Sequence, residues 1–236
     1  MRNGIKCNNC GSENPLYKFN CLSCNSILRN RVVNIDLWKT AWGLIESPIA
    51  TFKNIILSEH KNFVFFLSFE AGLKYLLSAI LISNGFKLQA GDISDSFFIN
   101  FLIATGGFVL CLILFSLLMK ILGRLFGINT RFKDNYTIFV YAHLPQLLLF
   151  PLLFIIEFAV FGNYWISFNP PPYIIKPGIA FALIGLESLM VLTTVILSIL
   201  AVYAQSKLKI LSLITGILIN VLIYGVLLIL TLVIFI

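Results

Sequence analysis

YTIFVYAHLPQLLLFPLLFIIEFAVF, residues Tyr136–Phe161, is apolar along nearly its whole length, with His143, Gln146 and Glu157 the main exceptions. About 20 helical residues cross the roughly 30 Å hydrocarbon core of a bilayer, and this stretch is longer than that. Its apolar positions are continuous rather than alternating, which excludes a strand of a membrane barrel. It therefore reads as a transmembrane helix. Pro145 removes a backbone hydrogen bond and Pro151 repeats the disturbance, so a kinked span with His143 and Gln146 beside the kink is expected.

Four more runs of the same character flank it, at Asn62–Ser83, Phe97–Leu122, Gly178–Gln205 and Ile210–Phe235. Hydrophobic residues make up 59 % of the chain and charged ones 11 %, and the mean hydropathy is +0.95. That balance excludes a soluble globular domain and specifies an all-α polytopic membrane protein with five transmembrane helices.

The net charge of +7 is distributed as a topology signal rather than as a nucleic-acid patch. Arg2, Lys6, Lys18, Arg29, Arg31, Lys39, Lys53 and Lys61 precede the first span. Lys120, Arg124, Arg131 and Lys133 border the loop between spans two and three, and Lys207 and Lys209 lie in the last loop. Five alternating spans put all of these on one side, leaving Lys87 and Lys176 opposite, together with Asp92 and Asp95. Cytoplasmic loops are enriched in Lys and Arg, so the N-terminus is expected in the cytoplasm and the C-terminus outside. Residues 1–33 are polar, and no cleavable signal peptide is expected there.

Cys7-Cys10 and Cys21-Cys24 form two CxxC pairs in that polar head. A CxxC turn offers two sulfurs on one side of a tight loop, and structural zinc takes four such soft ligands in a tetrahedron. Gly11 after the first pair and Asn25-Ser26 after the second suit a tight backbone. The segment between the pairs is too short for a core of its own, so bound metal must hold it. Disulfides would need an oxidising compartment, and a redox CxxC would need a thioredoxin-like pattern that is missing. The expectation is a zinc ribbon over 1–33 with structural Zn2+ and no open coordination position. Cys111, inside an apolar run, reads as a packing residue.

Residues 34–60 are neither soluble core nor span. Trp38 and Trp42 stand four apart, and Ser47-Pro48 reads as an N-cap followed by Pro at the first helical position. Ile49, Phe52, Ile55 and Ile56 then repeat at helical spacing. Two amphipathic helices are expected in the headgroup region, anchored by Trp38, Trp42, Pro48 and Phe52; packing on the ends of the spans is the alternative. The five-span domain then occupies 61–236.

An ionised group at the bilayer centre costs about 2.5–3.5 kcal/mol on insertion scales. Glu70 and Lys74 are four apart, and a mutual pair is the economical reading. Glu187 lies mid-span without a neighbour of that kind, and Glu157 is placed toward the outer end of its span, within reach of the interface. These groups serve either as a proton or ion pathway through Glu187, His143 and Glu70, or as interhelical hydrogen bonds. No HExxH, GxSxG or phosphate-binding loop occurs, which points away from an enzyme. Gly123–Gly127 has GxxxG spacing, a weak pointer to homo-oligomerisation, and NPPPYIIKPG reads as an extended connector.

The order of parts resembles the Yip family of five-span membrane proteins, named for interaction with Rab-type GTPases. The likeness covers roughly residues 35–236 and rests on ESPIATFKNI around Pro48–Phe52 and on the Tyr141–Pro145 step. Where eukaryotic members carry a DLYGP-type signature, this chain has IDLWKTAWG at Ile35–Gly43. A zinc head on such a domain is similar to bacterial members. A second likeness is to Arv-type lipid-homeostasis proteins, which also join a CxxC…CxxC head to membrane spans. The resemblance to bacterial members points to the bacterial cytoplasmic (inner) membrane and leaves their role undefined. The closed metal site, the missing catalytic group and the large apolar mass point to a non-enzymatic scaffold or adaptor, with the lipid bilayer and a cytoplasmic protein as expected partners and no nucleic acid. A small-solute or ion transporter and a lipid-handling protein are the alternatives.

Overall fold

The structure, a computed structural model, describes residues 3–86 and 97–234, with 230–234 described by backbone alone. Arg2, Lys87, Asp92, Asp95 and Phe235, which entered the reading of topology and of the fifth span, lie outside the described residues.

Two short strands, β1 (Gly4–Lys6) and β2 (Glu13–Pro15), pair antiparallel with Ile5 opposite Asn14. Helix α1 (Leu37–Glu46) starts at Asp36, whose carboxylate accepts from the Lys39 amide at 2.9 Å. Helix α2 (Pro48–Leu57) starts with proline at its first position, where a missing N–H costs nothing. Five helices then have the length and hydropathy to cross a membrane: Val64–Gly85, Phe97–Leu125, Phe132–Phe161, Pro177–Ser206 and Lys209–Ile229. The chain is an integral membrane protein of the all-α class.

The first two of these spans are α3 (Val64–Gly85) and α4 (Phe97–Leu125). The third is broken into α5 (Phe132–Ala142) and α6 (Leu144–Phe161), which meet at His143. Pro145 sits in the first turn of α6, where it cannot donate to the carbonyl one turn back. Pro151 is accommodated inside α6. The helix begins at Phe132 rather than Tyr136, so Asp134 and Asn135 are on it; an apolar run cannot reveal polar residues that extend it. Two short helices, α7 (Asn163–Ser167) and α8 (Pro172–Ile175), follow. The proline-rich stretch is thus not wholly extended, because Pro172 opens a helical turn. Helices α9 (Pro177–Ser206) and α10 (Lys209–Ile234) complete the chain.

Gly123 and Gly127 prove to be a helix stop. Gly127 adopts φ +69°, its amide donates to the Arg124 carbonyl at 3.2 Å, and the Ile128 amide donates to Gly123 at 2.7 Å. This pair of bonds is the Schellman closure, which favours glycine at the left-handed position. Close helix contact depends on other glycines. A Cβ on Gly216 would lie 2.6 Å from the Ile199 backbone, and one on Gly72 would lie 2.8 Å from the Thr105 Cα. Small residues at such points let helix backbones approach.

The chain divides into two compact units. One comprises Met1–Phe65, Leu112–Ala142 and Ile196–Ile219; the other comprises Phe66–Cys111, His143–Val195 and Asn220–Ile236. The first, which carries the four CxxC cysteines, has a core built around Phe52, Ile55, Leu112, Ile138 and Ile219. The second has buried clusters around Leu76, Ile80 and Phe101 and around Leu153, Phe161, Trp165 and Leu183.

Candidate metal centre and buried polar cluster

The sulfurs of Cys7, Cys10, Cys21 and Cys24 all lie within 4.8 Å of one another. Cys7 and Cys24 are 3.5 Å apart, and Cys10 and Cys21 3.6 Å. A tetrahedral ion with bonds of about 2.3 Å has ligand edges of about 3.8 Å, whereas a disulfide needs about 2.05 Å. The spacing fits four ligands around a metal ion.

Both CxxC turns close in the same way. The Cys7 amide donates to Ser12 and the Gly11 amide to Cys7; the Cys21 amide donates to Ser26 and the Asn25 amide to Cys21. Gly11 and Asn25 take left-handed conformations, φ +71° and +57°, which glycine and asparagine tolerate best. The Ser12 hydroxyl lies 3.0 Å from Cys10 and 3.1 Å from Cys21, and Ser26 lies 3.0 Å from Cys7 and from Cys24. A hydroxyl on a sulfur favours the thiolate. The Ser12 bond, followed by the Cys24 amide, lowers Cys21 to about 5, and the Ser26 bond leads the lowering of Cys7. Thiolates are the form that binds metal.

This knuckle is fastened to the helical part of its own unit. The Asn3 side chain donates to the Asn129 carbonyl at 2.9 Å and accepts from its amide at 3.0 Å. Arg29 donates to the Tyr17, Lys18, Asn30 and Leu57 carbonyls. The Arg131 guanidinium lies over the Tyr17 ring, 4.5 Å from its centroid. Arg31 forks onto Glu59 at 2.8 and 2.9 Å.

Beneath these contacts is a polar core that the sequence reading missed. Asp134 is fully buried and accepts from Arg131 at 2.6 and 3.0 Å, with the Lys61 ammonium at 3.0 Å. Lys61 also donates to the Ile55 and Ile56 carbonyls and to Ser58, closing the C-terminus of α2. Burial lowers Lys61 to about 8, against the opposing attraction of Asp134. Asn135 donates to the Ser116 carbonyl at 2.9 Å and accepts from Gln205 at 2.8 Å. The signal available was an acid three residues after Arg131 at the edge of a span.

The expected anchors fall into two groups. Trp38 and Trp42 are 73 % and 63 % exposed, and Ile45 beside them is also exposed. Pro48 begins α2 and is half-buried. Phe52 is fully buried, because α2 packs that face on α5. It is a core residue and not a membrane anchor: an apolar helical stripe looks the same whether it faces lipid or protein.

In the other unit the structure pairs Lys74 with Glu187, not with Glu70. The Lys74 ammonium donates to both Glu187 oxygens at 2.6 Å and lies 5.2 Å from the Phe150 ring centroid. Glu70 is half-buried and has no ion-pair partner among the described residues. Glu157 does not reach an interface. It is buried, with Trp165, Glu187 and Lys74 in electrostatic reach. Gln146 accepts from Thr194 at 3.1 Å and donates to Tyr224 at 3.5 Å. His143 is buried edge-on to Tyr75 and Phe108.

A cavity of about 380 Å³ lies in this unit, bordered by Glu187, Ser188 and Tyr224 and by the rings of Phe86, Trp165 and Phe168. No family model, curated protein or solved structure matches the chain.

Proposed function

We propose that the chain is a non-enzymatic integral membrane scaffold, in which a zinc knuckle presents a fixed cytoplasmic surface to a protein partner. The observation that carries this reading is the fastening of the knuckle by Asn3, Arg29 and the Tyr17–Arg131 contact. A ribbon held this way is an oriented platform rather than a tethered head. Leu22 and Ile27, on and beside the second CxxC turn, stay exposed and give a partner its apolar contact. Zinc suits four thiolates with no open position, which gives the ion a structural role. The exposed Trp38, Trp42 and Ile45 would rest in the headgroups. The basic loops favour a cytoplasmic N-terminus, and the Yip-like order of parts favours a bacterial inner membrane.

The test is zinc analysis of the purified chain with in-membrane photocrosslinking from Leu22. One zinc per chain is expected, along with one specific partner that is lost in Cys7→Ser. Substoichiometric zinc, or unchanged capture by Cys7→Ser, overturns the reading.

The Lys74–Glu187–Glu157 group supports a second reading, a small-solute or ion transporter, because ionisable groups inside spans commonly line transport paths. Under it, the paired change Lys74→Met with Glu187→Met, which strands no charge, abolishes a proton-coupled flux in liposomes while the fold persists. Absence of flux across a broad solute panel ends that reading.

A further inference from the structure

We propose that the groove between α1 and α2 binds the headgroup of phosphatidylethanolamine at the membrane surface. The two helices approach closely at one point, where a Cβ on Gly43 would lie 2.5 Å from the Thr51 hydroxyl. Both residues border a groove of about 650 Å³, and so do Lys39, Trp42 and Glu46. That volume is in the range of small-molecule sites. Lys39 and Glu46 stand on one face of α1, two turns or about 10.5 Å apart along its axis. Among the described residues neither has an ion-pair partner. Asp36, the third charged group on the border, already caps α1 by accepting from the Lys39 amide.

One cation and one anion at that separation complement a zwitterion. A phosphate and an ammonium joined by a two-carbon bridge, with one charged hydrogen bond of about 2.8 Å at each end, fit the span. Lys39 takes the phosphate and Glu46 the ammonium. An anionic headgroup would set a phosphate against Glu46, and a neutral one would leave both charges unused. Asn34 and Asn54 also border the groove, and their side-chain carbonyls accept from an ammonium N–H, which choline lacks. Choline calls instead for a cage of rings, and Trp42 is the single aromatic residue on the border among the described residues. The acyl chains have their place as well. Trp42 belongs both to the groove and to the exposed apolar face it shares with Trp38 and Ile45. That face is held at the level of the span ends: α2 ends at Leu57, the first span begins at Val64, and Arg131, just before the third span, donates to the Ile56 carbonyl. Free phosphoethanolamine would leave the face bare. The inference rests on the headgroup placement of Trp38 and Trp42, and not on a partner for the knuckle.

The experiment is native mass spectrometry of the full chain in detergent micelles, titrated with equimolar phosphatidylethanolamine, phosphatidylcholine and phosphatidylglycerol of identical acyl chains. Phosphatidylethanolamine is expected as the first lipid retained, preferred about fivefold, the upper scale of one exposed charge pair. Glu46→Gln removes that preference. Ala50→Trp, at an exposed position on the groove border, fills the space without touching either charge and removes it too. Equal retention of the three lipids overturns the proposal. So does a preference unchanged in both variants, or one lost to an equal concentration of soluble phosphoethanolamine. Quenching of tryptophan fluorescence by brominated phosphatidylcholine, compared with a variant carrying Trp38→Phe and Trp42→Phe, tests the headgroup placement separately. Quenching that depends on the two tryptophans, without a lipid preference, sinks the headgroup site alone; its absence sinks the placement as well.

Discussion

Asp134 and Glu187 are both carboxylates beside a lysine within the spans, yet their surroundings differ in kind. Asp134 receives Arg131 through two bonds and Lys61 through a third, and both cations also hold backbone carbonyls at the end of α2. Glu187 receives Lys74 alone, keeps a side chain 20 % exposed, and borders a cavity near a second acid. A polar network with every member satisfied rigidifies and specifies a core, whereas a single pair does so less firmly. The cysteine unit therefore reads as polar framework, and the cavity unit as the one whose buried charges are held by fewer bonds.

Metal removal tests the framework most severely. Structural zinc ribbons fold only with their metal, so chelation, or Cys21→Ser, should unfold residues 3–33 completely. Limited proteolysis with mass mapping would show new cuts there and in Arg31–Glu59, with helices α6 and α9 still protected. Cuts spreading equally through the cavity unit would erase the contrast.

Asp134→Ala is the next largest effect. It leaves Lys61 and Arg131 buried without their anion, a change that costs about 3–5 kcal/mol. A marked fall in thermal midpoint and in folded yield is expected. Glu187→Met alone should also destabilise, since it strands Lys74. The double change Lys74→Met with Glu187→Met removes both charges and should be nearly neutral, as replacing a buried pair by apolar groups often is. If the double variant unfolds as Asp134→Ala does, the Lys74–Glu187 pair is framework as well.

The pH dependence of Lys61 is a smaller and more specific mark. Its folded value is lowered to about 8 from 10.5, with burial opposing Asp134 and with Arg131 and Lys133 adding to the lowering. Between those values the unfolded chain binds more protons than the folded one, so stability rises with pH across about 8 to 10.5. Thermal midpoints of the wild type and of Lys61→Met, compared over that window, should converge as pH rises. A constant gap would place the ammonium in an ordinary, solvated setting.

How much of this was legible in one dimension follows the range of each interaction. The CxxC turns are local, so ligand spacing, Gly11 and Asn25 could all be read directly. The spans were legible because bilayer thickness acts on single runs of chain. The pairing of Lys74 was not, because the only partner visible along a sequence is one helical turn away, and Glu70 occupied that place. Glu187 is brought to Lys74 by helix packing, which one sequence does not encode in any spacing. Phe52 was misread for a related reason: an apolar stripe serves two physical situations, and only three-dimensional neighbours distinguish them.

The smallest effect isolates burial itself. Arg31 and Glu59 form the same forked guanidinium–carboxylate contact as Arg131 and Asp134, with nearly the same distances, but their side chains are 62 % and 32 % exposed. Exposed pairs gain little, because water screens the attraction and two long side chains lose freedom. Arg31 holds Glu59 below its ordinary carboxylate value, through hydrogen bonding first. The stabilisation is therefore present above about pH 4.5 and fades as pH falls through the lowered value. Arg31→Ala should leave the thermal midpoint at pH 7 almost unchanged, and the small difference from wild type should vanish in acid. A loss comparable to that of Asp134→Ala would mean that the chain segment joining knuckle to α3 depends on this fork, and that exposure is the wrong variable for separating framework from surface.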